Sequence, residues 1–155
     1  MLDDIDISVE DREGRPVLVA KVSHTETSAE EQHGLLDVLD SSCPSVPFAL
    51  LADPATLRIY RRDRGPFEEV ATLDAAEVIG HYSPGYTRAK ADNGFKPIFR
   101  TVLVGFVASW LSDLSRRWKA GEPPGRDELA RIGLLGRIEG GEVTNEELMG
   151  DLTLS

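Results

Sequence analysis

The sequence predicts an α/β fold with a small mixed β-sheet and a helical C-terminal half. Three observations support this fold class. A strand-like alternation opens the chain, a helix signal separates it from a second apolar strand-like run, and the longest helical periodicity comes after residue 97. A helix between two strands can cross over between parallel neighbours, so this order is typical of an α/β sheet.

The first predicted elements form a β-hairpin. Apolar and polar residues alternate over 5–10, which indicates a strand with one buried face. Turn-forming residues follow at 13–16, and residues 17–22 are mainly β-branched or aliphatic. The two strands should therefore pair with each other across a short turn.

A helix and three further strands are predicted next. Ser28 and Glu31 have the spacing of a capping box, which predicts a helix that ends near Asp40. The apolar run 48–52 lies between two prolines and suits a buried strand. Residues 57–60 alternate as a second strand, and 70–73 suit an edge strand.

The second half of the chain is predicted to be helical. We expect a short helix over 74–79, a long one over 98–119 and a last one over 127–138. The 155 residues fit a single domain over 1–155, with an α/β core at 1–73, a helical part at 74–139 and an acidic, mobile tail at 140–155.

The charge is strongly negative and unevenly distributed. With 27 Asp and Glu against 17 Lys and Arg, the formal net charge is −10. This balance disfavours nucleic acid as a partner of the whole molecule. Acidic residues dominate 1–40 and 121–155, whereas 81–120 is basic, so a local basic surface is still compatible with the sequence.

Cysteine usage and hydropathy predict a cytoplasmic protein. Cys43 is the only cysteine and cannot close a disulfide within the chain. The N-terminus has neither the basic nor the apolar region of a signal peptide. The most apolar stretch, residues 101–111, is far shorter than the roughly 20 residues that a membrane-spanning helix needs, so no membrane partner is expected.

Basic and aromatic residues cluster in the predicted hairpin around residue 60. Such a cluster can grip phosphates while an aromatic ring stacks on a base. Arginines at a hairpin end also protect an edge strand from aggregation, and both interpretations stay open here. The candidate nucleic-acid contacts are Arg58, Tyr60, Arg61, Arg62 and Arg64.

The aromatic and leucine stripe of the predicted helix 98–119 is more typical of a protein core or a dimer face than of a base-stacking platform, because its members share one helical face. If part of the stripe is exposed, self-association is its natural use. The stripe consists of Phe99, Leu103, Phe106, Trp110, Leu114 and Trp118.

The first hairpin contains a pattern of chemical interest. Asp6 lies on the first strand, and Lys21 and Ser23 lie on one face of the second. An acid on one strand and an acid and lysine on the next is the layout of the PD-(D/E)xK nucleases, which bind Mg²⁺ beside the attacked phosphate. Over most of its length the chain resembles a family of small uncharacterised bacterial proteins with this restriction-endonuclease-like fold. The shared features are this hairpin, a Thr-Ser lead into a helix, the run 48–54, the strand 58–60 and the late Trp-rich helix.

The resemblance implies catalytic positions that this chain fills differently. Where the resembling proteins carry Glu-x-Lys, this chain has Lys21 and Ser23, so Asp6 is the surviving acid and Lys21 a vestigial catalytic residue. A lone carboxylate holds Mg²⁺ weakly, and a cation at the glutamate position repels the metal. Asp6 and Glu10 could equally belong to a solvated strand face.

We therefore expect a non-catalytic interaction or regulatory protein on a degenerate nuclease fold, with no cofactor. The alternative is a Mg²⁺-dependent DNA endonuclease with Asp6 as metal ligand. A third interpretation is a protein that binds nucleic acid without cutting it. The expected partner is another protein or a second copy that binds through helix 98–119.

Overall fold

The computed structural model shows an α/β protein with a six-stranded mixed sheet, which confirms the predicted fold class. It describes residues 5–23, 25–63, 65–82, 96–116 and 123–145, with the backbone alone at 96–100 and 145. The strands are β1 (Ile7–Glu10), β2 (Pro16–Val22), β3 (Phe48–Ala52), β4 (Thr56–Arg61), β5 (Glu68–Asp74) and β6 (Glu142–Asn145). The helices are α1 (Ala29–Ser42), α2 (Ala75–Tyr82), α3 (Lys96–Ser115), α4 (Arg126–Arg131) and α5 (Leu135–Ile138).

The strands lie in the order β5-β4-β3-β2-β1-β6. Strands β1 and β2 form the expected antiparallel hairpin, and β2 pairs in parallel with β3. Helix α1 connects these two parallel strands, as a crossover connection must. The remaining pairs, β3 with β4, β4 with β5 and β1 with β6, are antiparallel.

The two faces of the sheet are covered very differently. On what we call the helix-rich face, side chains of β1 to β5 join one large core with α2, α3, α4 and α5. On the opposite, single-helix face, α1 and the loop after it cover the sheet. The buried apolar cluster there is smaller and consists of Val19, Leu39, Val46, Ala49, Leu51 and Tyr60.

Helix α1 begins with the predicted capping box. The Ser28 hydroxyl accepts the Glu31 N–H at 3.1 Å, and the Glu31 carboxylate accepts the Ser28 N–H at 3.2 Å. These two bonds satisfy backbone donors that the helix itself leaves unpaired. Leu39 is the one fully buried side chain of the helix, so α1 rests on the sheet along a narrow stripe.

The described side chains of the predicted stripe on helix α3 pack into the helix-rich core. Leu103 and Trp110 are completely buried, and the indole N–H of Trp110 donates to the Pro124 carbonyl at 2.7 Å. The predicted helix extended to residue 119, but 117–122 and the side chains of Phe99 and Trp118 lie outside the described residues. None of the described helices is long and apolar enough to span a membrane.

Two differences from the predicted elements occur near the C-terminus. The expected helix 127–138 is two short helices, because Gly133 takes a left-handed conformation with φ 85° between them. The expected tail at 140–155 includes β6, which pairs with β1 at the sheet edge. Gly141 makes this pairing possible, since a Cβ there would lie 1.9 Å from the Glu10 carbonyl oxygen. Residues 146–155 lie outside the described part.

Candidate functional site

The β1–β2 hairpin brings the first two candidate residues together. Ile7 pairs with Ala20, and continuing that antiparallel register by one position sets Asp6 opposite Lys21. The Asp6 N–H also donates to the Ala20 carbonyl at 3.0 Å. Opposite residues of an antiparallel pair point to the same side of the sheet, so both side chains belong to the single-helix face.

The Asp6 carboxylate takes part in the sheet itself. Its Oδ2 atom accepts the N–H of Val22 at 2.7 Å, and only 5% of the residue is exposed. A carboxylate that accepts a backbone N–H makes a charge-assisted hydrogen bond, which is stronger than a bond between neutral groups. Asp6 thus prolongs the β1–β2 pairing at the end of the hairpin.

Asp6 and Lys21 line two separate clefts on the single-helix face. The Asp6 cleft, of about 360 Å³, lies between β1, the loop after α1 and Thr144 of β6. The Lys21 cleft, of about 400 Å³, lies between the end of β2 and α1. Ser23 and Glu31 also line the Lys21 cleft, but Asp6 does not.

Glu31, an acid of α1 beside the Lys21 position, has a structural role. Glu31 lines the Lys21 cleft, where a carboxylate could replace the one that the hairpin lacks. Its Oε1 atom, however, accepts the Ser28 N–H in the capping box. Within the described ranges, no group of three or more His, Cys, Asp or Glu residues is arranged to hold a metal ion.

A second buried acid, Asp53, is not among the site residues predicted from the sequence. Asp53 directly follows β3 and is 3% exposed. It also lies close to the end of β2, because the carbonyl of the preceding residue, Ala52, accepts the N–H of Ser23 at 2.8 Å. Its Oδ1 atom accepts two turn N–H groups, those of Ala55 and Thr56, both at 2.8 Å.

The Oδ2 atom of Asp53 accepts both the N–H and the hydroxyl of Thr27, at 3.0 and 2.8 Å. Asp53 therefore fastens the segment before α1 to the β3–β4 turn. Aspartate before proline is a sequence signal for the turn bonds, but the bonds to Thr27 cross 26 positions of sequence and have no local signal.

Tyr60 of the β4–β5 hairpin faces inward. It is 5% exposed in the apolar cluster of the single-helix face, and this burial raises the pKa of its hydroxyl above the usual range. A base can stack on a ring only where the ring is accessible. The structure therefore gives Tyr60 a core position.

The neighbouring arginines bond to the protein. Arg58 pairs with Glu69 at 3.1 Å and lies half-buried. Arg61 donates to the Ile132 carbonyl at 3.0 Å, which joins β4 to the loop between α4 and α5. Arg64 lies outside the described residues.

Arg62 holds the end of α1 against the sheet. Its guanidinium donates to the Val46 carbonyl at 3.0 Å, to the Cys43 carbonyl and to Asp40. The guanidinium also lies 4.3 Å from the centre of the Phe67 ring, within the range of a cation–π contact. Its side chain is 9% exposed. Sequence reasoning did not separate this arginine from its exposed neighbours.

Comparison with known proteins adds no relative to this picture. No family model matches the chain, and neither a curated protein nor a solved structure matches it.

Proposed function

We propose that this chain is a non-catalytic interaction protein built on a degenerate restriction-endonuclease-like core. One observation carries the proposal: the carboxylate of Asp6, the acid that the resemblance retains, accepts the Val22 N–H and is 5% exposed. A first metal ligand has to offer its oxygens to a divalent ion that lies beside the attacked phosphate. Asp6 instead directs one of its two oxygens to the backbone of its own sheet.

The residue opposite Asp6 supports the same proposal. Lys21 occupies the position where the resembling proteins carry the second acid, and the hairpin register sets it across from Asp6. A lysine and an aspartate in this cross-strand arrangement attract each other and stabilise the strand pair. The positive charge also opposes a divalent cation at this point.

The arrangement of strands agrees with the proposed core. A β-hairpin, a crossover helix and a parallel strand follow one another in β1, β2, α1 and β3. This is the order of elements on which the resemblance was based. It favours an inherited scaffold whose former catalytic positions now stabilise the hairpin.

The partner of this scaffold is, in our proposal, another protein that binds the single-helix face. The described side chains of the stripe on helix α3, such as Leu103 and Trp110, pack into the core of the chain, so a partner has little access to them. The single-helix face has two clefts beside α1, and Val38 of that helix is 39% exposed. Acidic residues dominate the exposed side of α1, which suits a partner with a basic surface.

Plasmid cleavage with increasing Mg²⁺ tests whether the chain cuts DNA. We compare the wild type with Asp6→Asn and with the control Glu10→Gln, which changes an acid on the same hairpin strand. We expect no Mg²⁺-dependent nicking from any of the three. Nicking by the wild type and Glu10→Gln that disappears in Asp6→Asn would overturn the proposal in favour of the endonuclease.

Thermal unfolding distinguishes the structural role of Asp6 from metal binding. Asp6→Ala removes the acceptor of the Val22 N–H and should lower the free energy of unfolding by about 1–3 kcal/mol. Asp6→Asn keeps an amide oxygen as acceptor and should cost less. Millimolar Mg²⁺ should shift none of the melting temperatures. A Mg²⁺-dependent rise in the wild type alone would contradict the structural role, because ligands stabilise the state that binds them.

A further inference from the structure

A large polar cleft lies at the turn of the β1–β2 hairpin, away from Asp6 and Lys21. It has a volume of about 740 Å³ and lies between that turn, the loop before β3 and helix α5. Its charged lining consists of Asp11, Arg12, Glu13, Arg15 and Arg137. The volume falls within the range of small-molecule sites, roughly 300–1,000 Å³.

The two acids of this cleft are already paired with one of its arginines. Arg15 Nε lies 3.3 Å from Asp11, and its Nη2 atom pairs with Glu13. Asp11 also accepts the backbone N–H groups of Glu13 and Arg15 at 2.9 Å. These bonds, that from the Arg15 backbone first among them, hold the pKa of Asp11 below its usual range, so the acid stays ionised at neutral pH.

The other two arginines have no such partner. In the part of the chain that the structure describes, neither the Arg12 nor the Arg137 side chain makes a hydrogen bond or an ion pair, although both residues line the cleft. Two unpaired guanidinium groups in one cleft stand out in a chain with 27 acids and a net charge of −10. The cleft therefore has a local excess of positive charge on an otherwise acidic molecule.

The backbone around the cleft is hydrogen-bonded and anchored to the core. The hairpin turn is closed by the Asp11 N–H, which donates to the Arg15 carbonyl at 2.8 Å. Arg12 lies against Gly140, where an added Cβ would be 3.6 Å from its Nε atom. Arg137 lies on α5, whose Ile138 is fully buried in the core. A preformed site loses less entropy on binding than one that a ligand has to order.

We propose that this cleft binds the phosphate group of a small molecule through Arg12 and Arg137. A guanidinium offers parallel N–H donors that match two phosphate oxygens, and each of these arginines has its whole set of donors available. A phosphate monoester carries about −1.5 to −2 charges at neutral pH. Two unpaired arginines therefore match the charge of a phosphate ligand better than that of a ligand with a single carboxylate. None of these residues belongs to the Asp6 and Lys21 positions, so this site is independent of the proposed interaction function.

Isothermal titration of the full chain with pyrophosphate tests the site. We expect saturable binding that weakens at least tenfold in Arg12→Gln and in Arg137→Gln. The matched control is Arg131→Gln, which replaces an exposed arginine paired with Glu128 outside the cleft and should bind like the wild type. The replaced arginines are exposed, so all three variants should keep the wild-type melting temperature.

Two further results would decide against the site. Citrate carries a similar charge on carboxylates, so citrate binding as tight as pyrophosphate binding would contradict a phosphate site. Equal pyrophosphate affinity in the wild type and the two cleft variants would also overturn the proposal, since binding would then come from elsewhere on the surface. Affinity should fall as salt rises, because the arginines are solvent-accessible.

Discussion

The two faces of the sheet differ in how completely they are covered. On the helix-rich face, four helices bury one continuous apolar core that includes the whole ring of Trp110. On the single-helix face, α1 contributes one fully buried side chain, Leu39, and one cleft remains beside the helix and another beside the loop that follows it. The helix-rich face therefore supplies most of the buried apolar core, whereas the single-helix face supplies accessible clefts. A packed apolar core excludes ligands, and an incompletely covered face leaves room for them.

The faces also differ in how polar groups stabilise them. Asp6, Asp53 and Arg62 are all nearly buried on or beside the single-helix face, and each bonds to backbone groups from a distant part of the chain. Because the apolar contact between α1 and the sheet is narrow, these hydrogen bonds account for more of what holds the helix in place. We infer that a few specific hydrogen bonds stabilise the single-helix face, whereas apolar packing stabilises the helix-rich face.

The largest expected effect compares two leucines. Leu103 and Leu39 are both helical and completely buried, one on each face. Leu103→Ala should lower the free energy of unfolding by about 4–5 kcal/mol and Leu39→Ala by about 2–3 kcal/mol, because the cost grows with the cavity that cannot collapse. Urea unfolding measures both values. Equal losses would contradict the claimed difference in packing between the faces.

Arg62 tests whether specific bonds hold α1. Arg62→Met keeps the apolar stem but removes the donors to Val46, Cys43 and Asp40, and should cost about 2–3 kcal/mol. Hydrogen exchange should accelerate in α1 more than in α3. The matched control Arg58→Met loses one ion pair with a partly exposed acid and should cost under about 1 kcal/mol. Uniform acceleration across both helices would argue against a local role.

Substitution of Gly141 tests whether the pairing of β6 with β1 maintains the edge of the sheet beside the Asp6 cleft. Gly141→Ala places a Cβ against the Glu10 carbonyl oxygen, so β6 has to shift from β1, at a cost of about 1–3 kcal/mol. Exchange should increase in β6 and β1, and the Asp6 cleft should lose the wall that Thr144 provides. Gly136→Ala is the control, because a Cβ there meets nothing within 4 Å. An unchanged exchange pattern in Gly141→Ala would show that the strand tolerates the shift.

The smallest expected effect concerns the Cys43 thiol beside the Asp6 cleft. Burial raises its pKa, although the nearby Arg62 opposes the shift. The contribution of this shift to stability is therefore present below the unfolded pKa and is lost as pH rises through the folded one. The pH profile of alkylation should have its midpoint above that of the urea-unfolded chain. A midpoint below it would show that Arg62 outweighs burial.

Local patterns predicted much of the fold. The alternation over 5–10, the capping box of Ser28 and Glu31 and the apolar run 48–52 each led to an element that the structure contains. These signals come from neighbouring residues and need no knowledge of the tertiary structure. The glycines at 133 and 141 were harder to interpret, because a φ of 85° at Gly133 and the close approach at Gly141 appear only once the chain is packed.

The candidate site was less predictable than the fold. The hairpin alone sets Asp6 opposite Lys21, and sequence reasoning anticipated that the two strands pair. It could not assign the Asp6 carboxylate to the Val22 N–H, nor distinguish the inward Arg62 from the neighbouring arginines. Exposed and buried arginines have the same local signature. The cleft lined by Arg12 and Arg137 shows the same limit, because the hairpin turn and α5 are far apart in the chain.

By itself, the sequence determined the order of strands and helices from β1 to α3, the acidic balance and the hairpin that carries Asp6. Only the tertiary structure decided which groups those charges meet: Val22 for Asp6, Thr27 for Asp53, and no described partner for Arg12 or Arg137. The reason is physical. Secondary structure follows from interactions within a few residues, whereas the partner of a charged side chain depends on which distant segments the sheet brings together.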